Sequence, residues 1–239
     1  MVEQIDSQTT IASCCGYFGI HVTLKSRMEQ PVIVFGASGL GKSALEIFQS
    51  NQIMVYGFLD DDPALHGTSI GEVPILGATD DQAYLKLIGK KCQAFLADND
   101  KKWRQRTVEM LNAKRKVMPV NAIHSRSYMA LSSSIGHGNF VDAGVLVNAF
   151  AQLGSHNILH AQCTLDAEVE LKNYAEVGVG SNIGAQVTIG EGVFIGPGVT
   201  IVAGVSIGDH ARIGAGSVVI GNVNRNETVF GNPAQKVDQ

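Results

Sequence analysis

Residues 177–219 read VGVGSNIGAQVTIGEGVFIGPGVTIVAGVSIGDHARIGAGSVV, with an aliphatic residue at every sixth position from Val177 through Ile183, Ile189, Ile195, Ile201, Ile207 and Ile213 to Val219. Followed toward the N-terminus, the register runs back through Leu171, Leu165, Leu159, Leu153, Val147, Val141, Ile135 and Met129 to Ile123, 17 positions without a slip. Neither a helix nor an alternating strand repeats every six residues. Four residues after each such position the side chain is small or β-branched, as at Val145, Ala151, Cys163, Ala175, Ser181 and Val187; Asn139 and Asn157 stand out as exceptions. The next residue after the aliphatic one is often Gly, as at Gly136, Gly154, Gly178, Gly184, Gly190, Gly196, Gly208 and Gly214, which predicts turns with positive φ. One large inward residue, one small inward residue and a bend make one side of a triangular prism. Three such units make a coil, and the repeat predicts a stacked left-handed parallel β-helix over 119–239.

Upstream, PVIVFG (31–36) reads as a strand, SALEIFQSN as a helix and IMVYGFLDDD as a second strand. VPILG, DQAYLKLIG, CQAFLA and KKWRQRTVEMLNAK continue as strand, helix, strand and helix. The order predicts a small Rossmann-like α/β domain with a parallel sheet over 28–118, joined to the prism through VMPVNAIHS. Residues 1–27 show no periodicity and read as an extension outside the fold.

The formal net charge of −4 and a charged fraction of 17% predict a soluble chain without the basic patch that nucleic acid or an anionic membrane needs. No apolar run approaches the roughly 20 residues of a membrane span. Glu3 and Asp6 precede the apolar stretch 11–24 where a secretory signal carries Lys or Arg, so a cytoplasmic location is expected. Cys14, Cys15, Cys92 and Cys163 have neither disulfide-scaffold density nor zinc-ligand spacing, and no metal is expected.

With GASGLGK after the first strand, GFLDDDPALHGTSIGEVPILG beyond it, and hexapeptides closing on VFGNPAQKV, residues 31–237 resemble the bacterial sugar acyltransferases. The likeness is to the sialic acid O-acetyltransferases and the N-acetyltransferases of UDP-linked amino sugars. It implies a homotrimer with acetyl-CoA held between adjacent prisms and a sugar or nucleotide sugar as acceptor. It implies that Gly36, Ala37, Ser38, Gly39 and Gly41 lie at the nucleotide phosphates, with Asp60 and Asp61 near the uridine or sugar. It implies further that Glu176, Ala185, Pro197 and Ala215 lie along the thioester donor.

The chain departs from this family at its chemistry. The acid–histidine–acid triplet of the relatives falls on Asp166, Ala167 and Glu168, so alanine replaces the general base. Two further family histidines fall on Glu176 and Leu40. His160, at the place of a family asparagine near the acceptor, is the expected substitute, with Asp166 or Glu168 to orient it. His137, His156 and His210 read as turn or surface residues. Two other functions remain open: a catalytically inactive binding or regulatory trimer, and a nucleotide-binding protein using GASGLGKS (36–43) as a phosphate loop.

Overall fold

The computed structural model describes residues 30–237. The reading of residues 1–27 as an extension lies outside the described residues.

The first unit is a five-stranded sheet. Its elements are β1 (Val32–Phe35), α1 (Gly39–Ser50), β2 (Val55–Leu59), β3 (Ser69–Ile70), β4 (Val73–Gly77), α2 (Gln82–Leu85), β5 (Gln93–Leu96) and α3 (Lys101–Arg115). The sheet order is β3-β4-β2-β1-β5. β1, β2, β4 and β5 are parallel, as the alternation of strand and helix requires. The edge differs from the expectation, because β3 runs antiparallel to β4 around a two-residue turn in which Gly71 takes φ +57°. DQAYLKLIG forms only the four-residue α2, ending where Leu87 and Ile88 turn into β5.

From Ala122 onward, two-residue strands stack in register i, i+18 into three parallel faces. The inward residues Val141, Leu159, Val177, Ile195 and Ile213, with their counterparts on the other faces, fill one continuous core. The two misfit asparagines form a ladder. Asn121 Oδ1 accepts from Asn139 N (2.9 Å), Asn139 Oδ1 from Asn157 N (2.9 Å) and Asn157 Oδ1 from Ala175 N (2.8 Å). The buried amide oxygens each satisfy a backbone donor of the next coil, while Asn157 Nδ2 has no hydrogen-bond partner among the described residues.

The corner glycines serve a different purpose from the one expected. Positive φ falls two residues later, at Gly144, Gly180, Gly198 and Gly216, and also at His156, Gln162, Glu168 and Tyr174. The glycine that directly follows the aliphatic residue is needed for space. A Cβ on Gly178 would stand 2.5 Å from Gly196 C and Pro197 N of the next coil, and one on Gly196 2.7 Å from Ala215 N.

The two units share a core. Ala122, Phe140 and Ile158 point outward from the first face of the prism and pack with Leu40, Ala44, Leu45 and Phe48 of α1. At the next coil up, the outward residue of that face is Glu176, whose charge acts on Arg104 of α3.

Candidate functional site

The glycine turn after β1 is built to bring backbone close to backbone. Gly36 has φ +99°, and a Cβ there would lie 2.6 Å from Ala97 O at the end of β5. Ser38 starts α1 without a side-chain cap, no acid occupies the first turn, and the first helical bond is Lys42 N to Ser38 O. The N–H groups at this helix start face the crevice between the carboxyl ends of β1 and β5, where the strand order reverses. Asp60 is part of this turn: its Oδ2 accepts from Ala37 N (2.7 Å) and its Oδ1 from Asp62 N (2.9 Å). Asp61 Oδ1 instead takes Thr79 N (2.9 Å) and Thr79 Oγ1 (2.7 Å). Both acids therefore brace loops around the crevice, and Asp60 is not free for a magnesium ion in the manner of a phosphate-loop protein.

β5 runs directly from this crevice into α3, capped by Asp100, which accepts from Lys102 N (2.8 Å). One turn in, Arg104 is only 4% exposed, and its Nε–H has no hydrogen-bond partner. Burial pushes the guanidinium below its usual range, and the charge of Glu176 opposes that shift most, ahead of Tyr174, Asp98 and Asp100. Arg104, Thr107, Val108 and Leu111 are the buried residues of α3, an i, i+3, i+4, i+7 stripe. Arg104 thus occupies a position on the buried stripe of its helix, the one signal from which sequence reasoning could have found it.

His156 also departs from expectation. It is 3% exposed, and its ring stacks on Tyr174 with centroids 4.9 Å apart. Burial, then the Arg104 and His137 charges, lowers its pKa to about 4, so it stands as a neutral ring at the joint between α3 and the prism.

His160 turns the corner after the strand Ile158–Leu159, and its Nε2 lies 3.0 Å from Glu176 Oε1. The two side chains remain 27% and 25% exposed, accessible to a ligand. Phe140 flanks the imidazole, with centroids 6.4 Å apart. The partner of His160 is therefore Glu176, a residue the resemblance assigned to the donor side. Asp166 and Glu168 are at the following corner of the same coil and are engaged there. Asp166 Oδ1 accepts from Ala167 N (2.7 Å) and Asn148 Nδ2 (3.0 Å), and Glu168 Oε2 from Gln186 Nε2 (3.0 Å).

The expected donor-side residues divide between the same two edges. Pro197 and Ala215 stack on the edge of His160, where Gly216 N donates to Pro197 O (2.8 Å). Ala185 stacks above Ala167, where Gln186 N donates to Ala167 O (2.9 Å).

A triangular prism of hexapeptide coils behind a Rossmann-like sheet, with a partly exposed histidine–carboxylate pair near their joint, defines a left-handed β-helix protein. Residues 31–111 match the model of the PglD N-terminal domain, and residues 186–221 match that of the bacterial transferase hexapeptide with six repeats. Among solved structures, the chain is similar to a histidine-to-alanine mutant of GDP-perosamine N-acetyltransferase from Caulobacter crescentus in complex with CoA and GDP-perosamine. The identity is 28%, covering 87% of this chain and 97% of the other, with a TM-score of 0.80. It also shares its fold with the acetyltransferase domain of PglB from Neisseria gonorrhoeae in complex with acetyl coenzyme A, at 24% identity, 87% and 99% coverage and a TM-score of 0.79. No curated protein matches the chain. Its domain order, a PglD N-terminal domain followed by the hexapeptide repeat, is similar to that of the hexapeptide-repeat sugar acyltransferases.

Proposed function

We propose that this protein transfers an acyl group, acetyl in the first instance, from CoA to a hydroxyl or amine of a sugar or nucleotide sugar. His160 is its general base, and its role is in glycan or surface-polysaccharide biosynthesis in the cytoplasm. The observation that carries this reading is the 3.0 Å contact between His160 Nε2 and Glu176 Oε1 on an accessible surface. With Glu176 as a carboxylate, the ring donates Nε2–H and its lone pair lies on Nδ1. Nδ1 takes the proton from the acceptor O–H or N–H as that atom attacks the thioester carbonyl carbon. The tetrahedral intermediate then expels the thiolate, which takes the proton back from the imidazolium and leaves as CoA thiol. The charge of Glu176 also acts on the buried Arg104.

Residues 28–118 would hold the nucleotide sugar by Gly36, Ala37, Ser38, Gly39 and Gly41, with Asp60 and Asp61 shaping the crevice. Residues 119–239 would carry out the transfer. The split of donor-side residues over two edges supports a homotrimer, because one chain cannot wrap both edges around a single ligand. The edge of one chain bearing His160, Pro197 and Ala215 would face the neighbour's edge bearing Ala185. Glu176 borders the first edge.

A second reading has its own observation. Ala167 cannot take a proton, and the Caulobacter relative was crystallised with CoA and GDP-perosamine while carrying a histidine-to-alanine change. A trimer that binds both ligands without transfer is the alternative. Mixing the protein with acetyl-CoA and a panel of nucleotide-linked amino sugars and sialic acids, and following thiol release, tests both. Acceptor-dependent release abolished by His160→Ala supports the transferase; calorimetric binding without release supports the binding trimer.

A further inference from the structure

The net charge of −4 conceals a strongly basic end of the molecule, which corrects the expectation that there is no such patch. Lys86, Lys90, Lys91, Lys114, Arg115 and Lys116 are six of the 18 Lys and Arg residues, and segments 82–97 and 110–141 that carry them contain no acid. The fold brings the two segments together. Arg115 Nη2 donates to Lys86 O (2.9 Å) and Ile88 O (2.8 Å), and Arg115 Nε also reaches Ile88 O (3.1 Å). The five lysines are exposed, and Lys86, Lys114 and Arg115 border a shallow pocket of about 270 Å³ with Gln82 and Leu85. Asp81 is at the start of α2, engaged with Ala83 N (2.7 Å).

Cations at the last turn of α3 complement its carbonyl end, which accounts for Lys114 and Arg115. Lys90 and Lys91 lie in the loop before β5 and serve no helix end. We infer that this end of the sheet is a docking surface for an anionic lipid bilayer. A cluster of this size is what reversible adsorption to such a surface requires, and its attraction fades beyond a Debye length of about 8 Å at physiological salt. The location suits it. Lys90 and Lys91 precede β5, whereas Ala97 and the nucleotide crevice follow it, so adsorption leaves the crevice facing away from the lipid. The chain also joins the described fold at this end. Gln30 Nε2 donates to Lys90 O (3.3 Å), and in sequence the stretch 11–24 before it, IASCCGYFGIHVTL, has no Asp, Glu, Lys or Arg. The patch has no exposed aromatic residue interleaved with its lysines, as single-stranded nucleic acid would need.

The full chain is sedimented with vesicles of phosphatidylglycerol or of phosphatidylcholine at two salt concentrations, alongside the triple variant Lys86→Glu, Lys90→Glu, Lys91→Glu. A control triple carries Lys172→Glu, Arg225→Glu and Lys236→Glu, and melting curves report folding of each. Selective binding to phosphatidylglycerol, weakened by salt and reduced at least about 100-fold in the first triple but not in the control, is the expected result. Equal binding by all three chains overturns the inference, as does retention of single-stranded RNA with no retention of vesicles. Binding that survives the first triple but is lost on removing residues 1–27 also overturns it, since the apolar stretch alone then suffices.

Discussion

Two corners of one coil have the same backbone and opposite chemistry. At the first, His160–Ala161–Gln162 ends with Gln162 at φ 61°; at the second, Asp166–Ala167–Glu168 ends with Glu168 at φ 59°. At the second corner, Asp166 Oδ1 and Glu168 Oε2 already accept hydrogen bonds from neighbouring groups. At the first, one imidazole nitrogen meets a carboxylate and the other has no hydrogen bond among the described residues, with a quarter of the side chain still exposed. The repeat fixes the main chain so uniformly that function lies in which side chains keep polar atoms unspent. On that criterion, the resemblance and the geometry point to different edges.

Substitution at the two corners gives the largest contrast. His160→Ala is expected to lower acceptor-dependent thiol release by ~10²- to 10⁴-fold, the usual worth of a general base, with little change in acetyl-CoA affinity. Asp166→Asn and Glu168→Gln should each stay within about threefold of the parent, since neither side chain touches His160 and neither change empties the site. Equal losses at both corners would break the comparison and return the base to the second edge. Glu176→Gln should fall between, since the ring loses the carboxylate that fixes its Nε2–H tautomer but keeps its base.

The third corner of the prism extends the contrast to stability. His156 is held neutral with a pKa of about 4, below the usual 6.5 of an unfolded histidine. Between those two values the unfolded chain binds the extra proton. Stability is therefore fully present above pH 6.5 and declines as pH falls toward 4, by roughly 3 kcal/mol in total. Urea melts at pH 7 and pH 4.5 measure the difference, and His156→Gln should flatten this part of the curve. An unchanged slope would mean that the ring is solvated in solution.

Two glycines on the edge of His160 separate space from conformation. Gly178→Ala pushes a Cβ against backbone of the next coil and should cost about 3 kcal/mol, the upper range for overpacking. Gly180 has φ +67° with nothing within 4 Å of a Cβ, so Gly180→Ala should cost only the left-handed penalty, about 1–2 kcal/mol. Thermal denaturation of both variants ranks them, and the reverse order would refute the spatial role.

The prism was legible in the sequence because its core requires one inward aliphatic residue every six, a period no other element produces. The strands of the sheet unit were legible from their apolar runs, while the β3–β4 hairpin was missed because it is two residues long on each side and its signal is a single Gly71. The candidate site was legible only by halves. His160 could be singled out, but its partner Glu176 is 16 residues away on the neighbouring coil, a pairing that depends on the i, i+18 stacking rather than on any local pattern. Arg104 looks like an ordinary surface cation of a charged helix until the buried stripe of α3 is traced through it. His156 reads as a turn residue, which its φ of 62° bears out, yet it is buried with its ring stacked on Tyr174.

The smallest expected effect concerns the acid the resemblance would make catalytic. Asp166 follows an inward leucine, and its carboxylate accepts from the N–H of the next residue, Ala167, at 2.7 Å. Asp142 follows an inward valine one coil earlier, and accepts from Ala143 N at the same 2.7 Å. Asp142 lies on the edge of His160 and Asp166 on the other, so the contact belongs to the repeat and not to a particular site. An aspartate at that step braces its own corner, as an asparagine or aspartate side chain braces a turn. Asp142→Ala should therefore lower stability by about 1 kcal/mol, the net worth of one such hydrogen bond, and Asp166→Ala by up to about 2 kcal/mol, since Asp166 also accepts from Asn148 Nδ2. The check is paired melting curves with thiol release measured on the same preparations. Destabilisation of both with unchanged turnover would assign both acids to the scaffold, whereas a loss of turnover at Asp166 alone would show that the second edge takes part in the chemistry.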